Sequence, residues 1–298
     1  MNASAAPAES LNRGLFASAA ATFIVLWASG FIAAKYGLPY AEPFTLMACR
    51  FFVASVVMTL ACFALRAQWP RTARQTVHLL ISGFGIQSVY LIGVYYGIWY
   101  GVSTGVTALV VGLQPLLTGG IAMLLLGERP TARNWAGLLL GFMGLALVVW
   151  DRVASPSESL WGLGFLILGL LGITAGTLYQ KRFCGTFDVR PAVALQNMIS
   201  FATTIILAFA FETRVIDWTA DFVFAVLWSA VALSMFASCL FFWLIQRGAA
   251  ARVTSLIYLS PPTTAVMGWA MFGEVMSWMA IGGMALAMTG VALAVRQK

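Results

Sequence analysis

Residues 113–149 read LQPLLTGGIAMLLLGERPTARNWAGLLLGFMGLALVV, and residues 259–295 read LSPPTTAVMGWAMFGEVMSWMAIGGMALAMTGVALAV. Laid over one another at an offset of 146 residues, they agree at 11 of 37 positions without a gap. The agreements include residues with a structural meaning: Pro115 on Pro261, Gly127-Glu128 on Gly273-Glu274, Gly137 on Gly283 and Gly144 on Gly290. Further out, the same offset sets Gly30 on Gly176 and Lys35 on Lys181. The chain therefore reads as a duplication.

A helix that spans a bilayer needs about 20 mostly apolar residues. Ten such runs lie at about 15–36, 44–65, 77–99, 102–126, 134–150, 160–181, 191–211, 222–246, 249–272 and 278–295. The third and fourth are parted only by the Gly-bearing stretch 100–103. The fold class expected is an all-α integral membrane protein. Residues 1–14 form a tail, 15–150 a first five-helix repeat and 160–295 a second. Five is odd, so the second repeat is expected upside down. Composition agrees: 61% of the 298 residues are apolar and 9% charged, against roughly 25% charged in soluble domains. The mean hydropathy is +0.90. The formal charge of +7 reads as a topology signal and not as a nucleic-acid surface. With the N-terminus inside, 13 Lys/Arg fall in inner segments and 3 (Lys35, Arg152 and Arg214) in outer ones, leaving Arg50 within a span. By the positive-inside rule both termini are expected to be cytoplasmic.

The pattern P-x(11)-GE-x(8)-G-x(6)-G closes each half, Trp27-Ala28-Ser29-Gly30-Phe31 lies in the first span, and Ala48-Cys49-Arg50-Phe51-Phe52 lies in the second. These residues resemble the EamA-like branch of the drug/metabolite transporter superfamily, over nearly the whole chain. Within it the sequence looks most like the YddG-like aromatic amino-acid exporters. The resemblance implies a multi-pass carrier of the bacterial-type inner membrane that exports amino acids or similar small metabolites. The rival within transport is a carrier of a non-amino-acid metabolite or a drug.

Inverted repeats place a substrate site near the midplane between the halves. Cavity-lining candidates are therefore polar and aromatic residues at that depth: Trp27, Ser29, Gln87, Tyr90, Tyr95, Trp99, Gln114, Tyr179, Tyr258 and Ser260. The competing reading of the aromatics is core packing and interfacial belts. Trp150, Trp161, Trp218 and Trp278 read as belt residues. Pro115, Pro261 and Pro262 break helical hydrogen bonding and read as paired hinges, or as static kinks. Glu128 and Glu274 read as structural charges near helix starts capped by Thr131 and Ser277. Arg50 reads as a structural charge that snorkels or meets Glu42 or Glu274; substrate carboxylate binding is its other reading. His78 reads as a cap or surface residue.

Several function classes find no support in the residues. Cys49, Cys62, Cys184 and Cys239 are isolated and His78 is the single histidine, so no metal or cofactor is expected. No phosphate-binding P-loop motif is present. A membrane-embedded enzyme acting on lipid would need a nucleophile, an acid–base pair or a metal cluster, and a channel would need a continuous polar stripe. No Asp or Glu lies deep in a predicted span, which favours facilitated diffusion or exchange over carboxylate-based proton antiport. Gly137, Gly141 and Gly144 permit close helix contact, within one chain or in a dimer; a monomer is expected.

Overall fold

The computed structural model describes residues 6–114, 116–118, 121, 132–153, 160–185, 187–246 and 260–295. These fall into ten helical stretches: α1 (Ala6–Gly37), α2 (Pro43–Ala64), α3 (Ala73–Trp99), α4 (Thr104–Gly112), α5 (Ala132–Val153), α6 (Leu160–Phe183), α7 (Val189–Phe211), α8 (Ala220–Gln246), α9 (Ser260–Phe272) and α10 (Trp278–Val295). Six of them are long and apolar enough to cross a membrane: α1, α2, α3, α6, α7 and α8. Among the described residues the only β pairing is a single antiparallel bridge between Ala41 and Ile216. Large apolar side chains such as Leu60, Phe63, Ile206 and Phe209 face outward at 63–67% exposure, as a lipid-solvated surface permits.

The ends of the helices are chemically marked. Pro43 opens α2, where its missing N–H costs nothing. Thr72 and Gln75 close a capping box on α3. The short break foreseen between the third and fourth spans is a turn at Gly101, whose φ is +92°. There Val102 N–H reaches back to the Gly97 carbonyl and Gly101 N–H to that of Ile98, the bonding that ends a helix on a left-handed glycine. Arg66 ends α2 in the same way with φ +49°. Ser277 caps α10 as foreseen, accepting from Ala280 N–H at 3.0 Å.

The helices pair across the two halves: α2 with α7, α3 with α6, α1 with α8, α4 with α9, and α5 with α10. Exchanging each helix with the one five places along maps this set onto itself, the mark of a two-fold axis. The α5–α10 seam shows it at single residues. A Cβ added at Gly144 would meet the Gly283 carbonyl oxygen and the Ala287 nitrogen at 2.5 Å. One added at Gly290 would meet the Gly137 carbonyl oxygen at 2.6 Å and the Gly141 nitrogen at 2.5 Å. Shifted by 146 residues, each contact becomes the other. Residue numbers rise along α5 as they fall along α10, so equivalent helices run in opposite directions and the repeats are inverted. The glycines thus serve contacts within the chain. Lipid tails are as apolar as leucine, so such helices are held by close packing instead of hydrophobic expulsion.

At Gly290 a methyl group would strike backbone atoms, which cannot swing away. Gly290→Ala is expected to lower the melting temperature in detergent, with an overpacking cost of about 1–3 kcal/mol. Gly282→Ala, on the same helix but facing open space, is expected to be neutral. Equal melting of the two variants would contradict a tight seam.

Candidate functional site

Two stretches of the bundle depart from α-helical bonding. Within α3, Phe84–Val89 forms a π-helical segment; within α8, Trp228–Ala237 forms another. The third and eighth spans are repeat equivalents, and 84–89 shifted by 146 residues falls inside 228–237. Such bulges widen a helix and recur at functional sites. Here they border one cavity, between α1, α2, α3, α6, α7 and α8. It encloses about 50 Å³, room for roughly three to five water molecules at 10–15 Å³ each. That is less room than a ligand of amino-acid size occupies.

One wall of the cavity is aromatic. Trp27 and Tyr90 stack with centroids 5.8 Å apart and planes 5° apart, and Phe241 lies 5.6 Å from Trp27. Among aliphatic side chains such as Ile86, Leu91 and Leu233, the other walls carry buried polar groups. Gln87 donates from Nε2 to Ser238 Oγ at 2.9 Å. Gln196 donates to Ser82 Oγ at 3.0 Å and to Gln180 Oε1 at 2.9 Å. Arg50, 4% exposed, donates from Nε to Ser234 Oγ at 2.8 Å and from Nη1 to Tyr95 Oη at 3.0 Å.

The structure thus brings Trp27, Gln87 and Tyr90 together at the cavity, with Tyr95 behind Arg50, and it corrects other expectations. Trp99 does not line the cavity; at the last turn of α3 it is 46% exposed on the outer surface. Arg50 meets neither Glu42 nor Glu274. Glu42 is taken up by Thr213 N–H at 2.7 Å and Thr213 Oγ1 at 2.6 Å, and Glu274 by Lys35 and Thr104. Ser29 lies behind the wall, accepting from Trp228 Nε1 at 3.0 Å. Gln114 reaches Thr177 Oγ1 at 3.1 Å. Tyr179 stands at one end of the bundle, 2.7 Å from His78 Nδ1. His78 is neither cap nor bare surface: half-buried, it also stacks on Phe183 at 4.9 Å. Ser260 is buried in α9 with no partner for its hydroxyl. Pro261 and Pro262 sit in the first described turn of α9, with Pro261 against Gly112 of α4. Pro115, Tyr258 and Glu128, with Thr131, lie outside the described residues.

Sequence reasoning missed Gln180, Gln196, Ser234 and Ser238. For Gln196 a signal existed: it is the repeat equivalent of Arg50.

At the end of the bundle beyond Arg50, carboxylates tie the halves together. Glu212 accepts from the Phe44 and Thr45 N–H groups at 2.7 Å, from Thr45 Oγ1 at 2.8 Å and from Tyr96 Oη at 2.9 Å, a carboxylate on the N-terminus of α2. Asp221 accepts from Tyr36 and Tyr40 at 2.9 and 3.1 Å. Glu274 pairs with Lys35 and accepts from Thr104 Oγ1 at 2.6 Å. The helix-start carboxylates Glu42 and Asp188 are repeat equivalents. Glu42 holds the chain after α7, while Asp188 accepts from Gln68 N–H, just after α2, at 3.2 Å. Arg190 beside Asp188, and the Thr213 hydroxyl beside Glu42, hold both carboxyls below their usual range.

An EamA-like transporter family model matches this sequence twice, over residues 13–150 and 160–296. The chain is 25% identical over 282 residues to the uncharacterized transporter YvbV of Bacillus subtilis, covering 92% of this chain and 89% of that one. It is 24% identical to the uncharacterized inner membrane transporter YedA of Escherichia coli K12, covering 94% and 90%. It is 27% identical to the probable terminal-alkyne amino-acid exporter of Streptantibioticus cattleyicolor, covering 91% and 90%. A solved crystal structure matches with a TM-score of 0.63 at 20% identity, over 93% of this chain and 94% of the other.

Burial works to raise the Glu274 carboxyl, but the bonds from Lys35 and Thr104 outweigh it and hold the group below the ordinary value of 4.5. A carboxyl lowered on folding stabilises the fold above its ordinary value, and that contribution is lost as pH falls through the lowered one. Glu274→Gln is expected to melt below the unsubstituted protein at pH 7, and the gap to close as the pH drops below 4.5. A gap independent of pH would mean that the ion pair contributes nothing.

Proposed function

This chain belongs to the EamA-like transporter family, a multi-pass membrane transporter by descent, and on that footing we propose that it exports small metabolites, amino acids including aromatic ones among them. In this reading it has ten spans, resides in a bacterial-type inner membrane with both termini cytoplasmic, and works as a monomer. The observation that carries the reading is the cavity between two inverted halves, lined by stacked aromatic rings and aliphatic side chains, with amides and one guanidinium set among them. Rings suit an aromatic or apolar side chain, and fixed amides suit the polar end of an amino acid.

The mechanism proposed is alternating access by rocking of one half against the other. The two equivalent boundaries are built differently. Where α3 meets α6, a Cβ at Gly169 would lie 2.9 Å from the Tyr90 carbonyl oxygen, and one at Gly85 would lie 2.8 Å from the Gly176 Cα. Where α1 meets α8, a Cβ at Gly30 would make only ordinary contact with Leu233 at 3.4 Å. Polar bonds hold that second boundary, from Trp228 to Ser29 and from Tyr36 to Asp221. Hydrogen bonds re-form after sliding, whereas interlocked backbones resist it. The α1–α8 boundary is thus the one that opens.

Proteoliposomes preloaded with unlabelled amino acids test this. Labelled tryptophan and phenylalanine are expected to show counterflow, and Trp27→Ala to raise their half-saturating concentration about three- to tenfold through lost stacking. Flux of threonine as well would widen the range to amino acids in general. Absence of any amino-acid flux from folded protein would leave the family standing and favour another metabolite or a drug.

A further inference from the structure

A guanidinium carries five N–H donors. In Arg50 two of them are engaged, by Ser234 and Tyr95, and both partners are neutral hydroxyls. Among the described residues the remaining three have no hydrogen-bond partner, although the residue is 4% exposed and lines the cavity. Among the described residues, no Asp or Glu lines that cavity. An ion held inside the bundle without a counter-charge is costly, and a charge at this depth is rare unless it has work to do.

We propose that the missing counter-charge is carried by the transported molecule, and that Arg50 is the anchor for its carboxylate. Ser234 holds Nε–H and Tyr95 one N–H of Nη1; both N–H groups of Nη2 and the second of Nη1 are left for a planar carboxylate, which a guanidinium can meet in two parallel hydrogen bonds. The fixing partners come from α8 and α3, so the anchor spans the boundary between the halves.

The site has a second property. Among the described residues its lining offers a substrate ammonium group no carboxylate, only neutral groups such as the amides of Gln87, Gln180 and Gln196, the Ser238 hydroxyl and the faces of aromatic rings. The carboxylate is therefore the required group and the amino group is dispensable. The substrate class is monocarboxylates with an apolar or aromatic body, of which amino acids are the zwitterionic members. This deepens the reading given above and rests on it for the location of the site.

The test compares four compounds that share a 2-phenylethyl body as competitors of labelled phenylalanine counterflow, and as stabilisers of the purified protein against heat. They are phenylalanine, 3-phenylpropionate, phenethylamine and phenylalaninamide. The two carboxylates are expected to compete and to stabilise, and the amine and the amide to be weaker by about tenfold or more, the loss of a charge-assisted bond. Arg50→Gln is expected to erase the preference and Arg50→Lys to keep part of it. Should neither variant fold, the competitor series on the unsubstituted protein decides. If phenylalanine does not cross but 3-phenylpropionate stabilises the protein and phenethylamine does not, the amino-acid reading falls and the anchor stands. Equal competition by amine and carboxylate overturns the anchor, as does an unchanged preference in Arg50→Gln or the absence of stabilisation by any carboxylate.

Discussion

Within hydrocarbon, a polar group has only the protein to bond to, and a charge has only what the protein or its cargo brings. The interior of this bundle is organised around meeting that demand. Arg50 draws a serine from α8 and a tyrosine from α3. Gln196 draws a serine from α3 and a glutamine from α6. Gln87 of α3 draws a serine from α8. Each bond crosses between helices, so polar satisfaction and the relative placement of the helices are one requirement. The π-helical segments belong to the same economy: both carry side chains of this network, Gln87 in one and Ser234 in the other.

Duplication explains why the network has the shape it has, and divergence explains what it can do. Position 50 and its equivalent 196 face the cavity from α2 and α7. One copy became a cation and the other a neutral amide, so a two-fold scaffold holds a one-sided field. The same divergence separates the boundaries. Backbones interlock through glycine where α3 meets α6, while phenol, indole and carboxylate bonds span α1 and α8. A perfectly symmetric bundle would offer neither a charged end to orient a ligand nor a preferred place to open.

The fold was largely legible in the sequence. Apolar runs, the duplicated proline and glycine pattern, the turn at Gly101 and the cap at Ser277 are local signals that the bilayer leaves few ways to satisfy. Trp27, Gln87 and Tyr90 were legible because a polar or amphipathic side chain at mid-span depth needs a reason to be there. Trp99 misled because residue type does not tell the final turn of a helix, where an indole belongs to the interface, from the turn before it. The partners of Arg50 were not legible: a charge invites the search for an opposite charge, and here neutral hydroxyls were recruited. Lys35 and Glu274 are 239 residues apart, and no periodicity within either helix links them.

The pairing of the helices also governs how this chain is made. Among the described residues every major helix pair joins the first half to the second, and synthesis delivers the first half alone. While it waits in the bilayer, α2 lacks α7, α3 lacks α6 and α5 lacks α10, and Gly137 and Gly144 lack the α10 backbone they pack against. The first half alone thus keeps only its smaller contacts, such as those of α4 with α1 and α5, and the larger seams close once the second half is in place. Most of the packing that holds the bundle therefore forms late in synthesis, across the two halves and not within either.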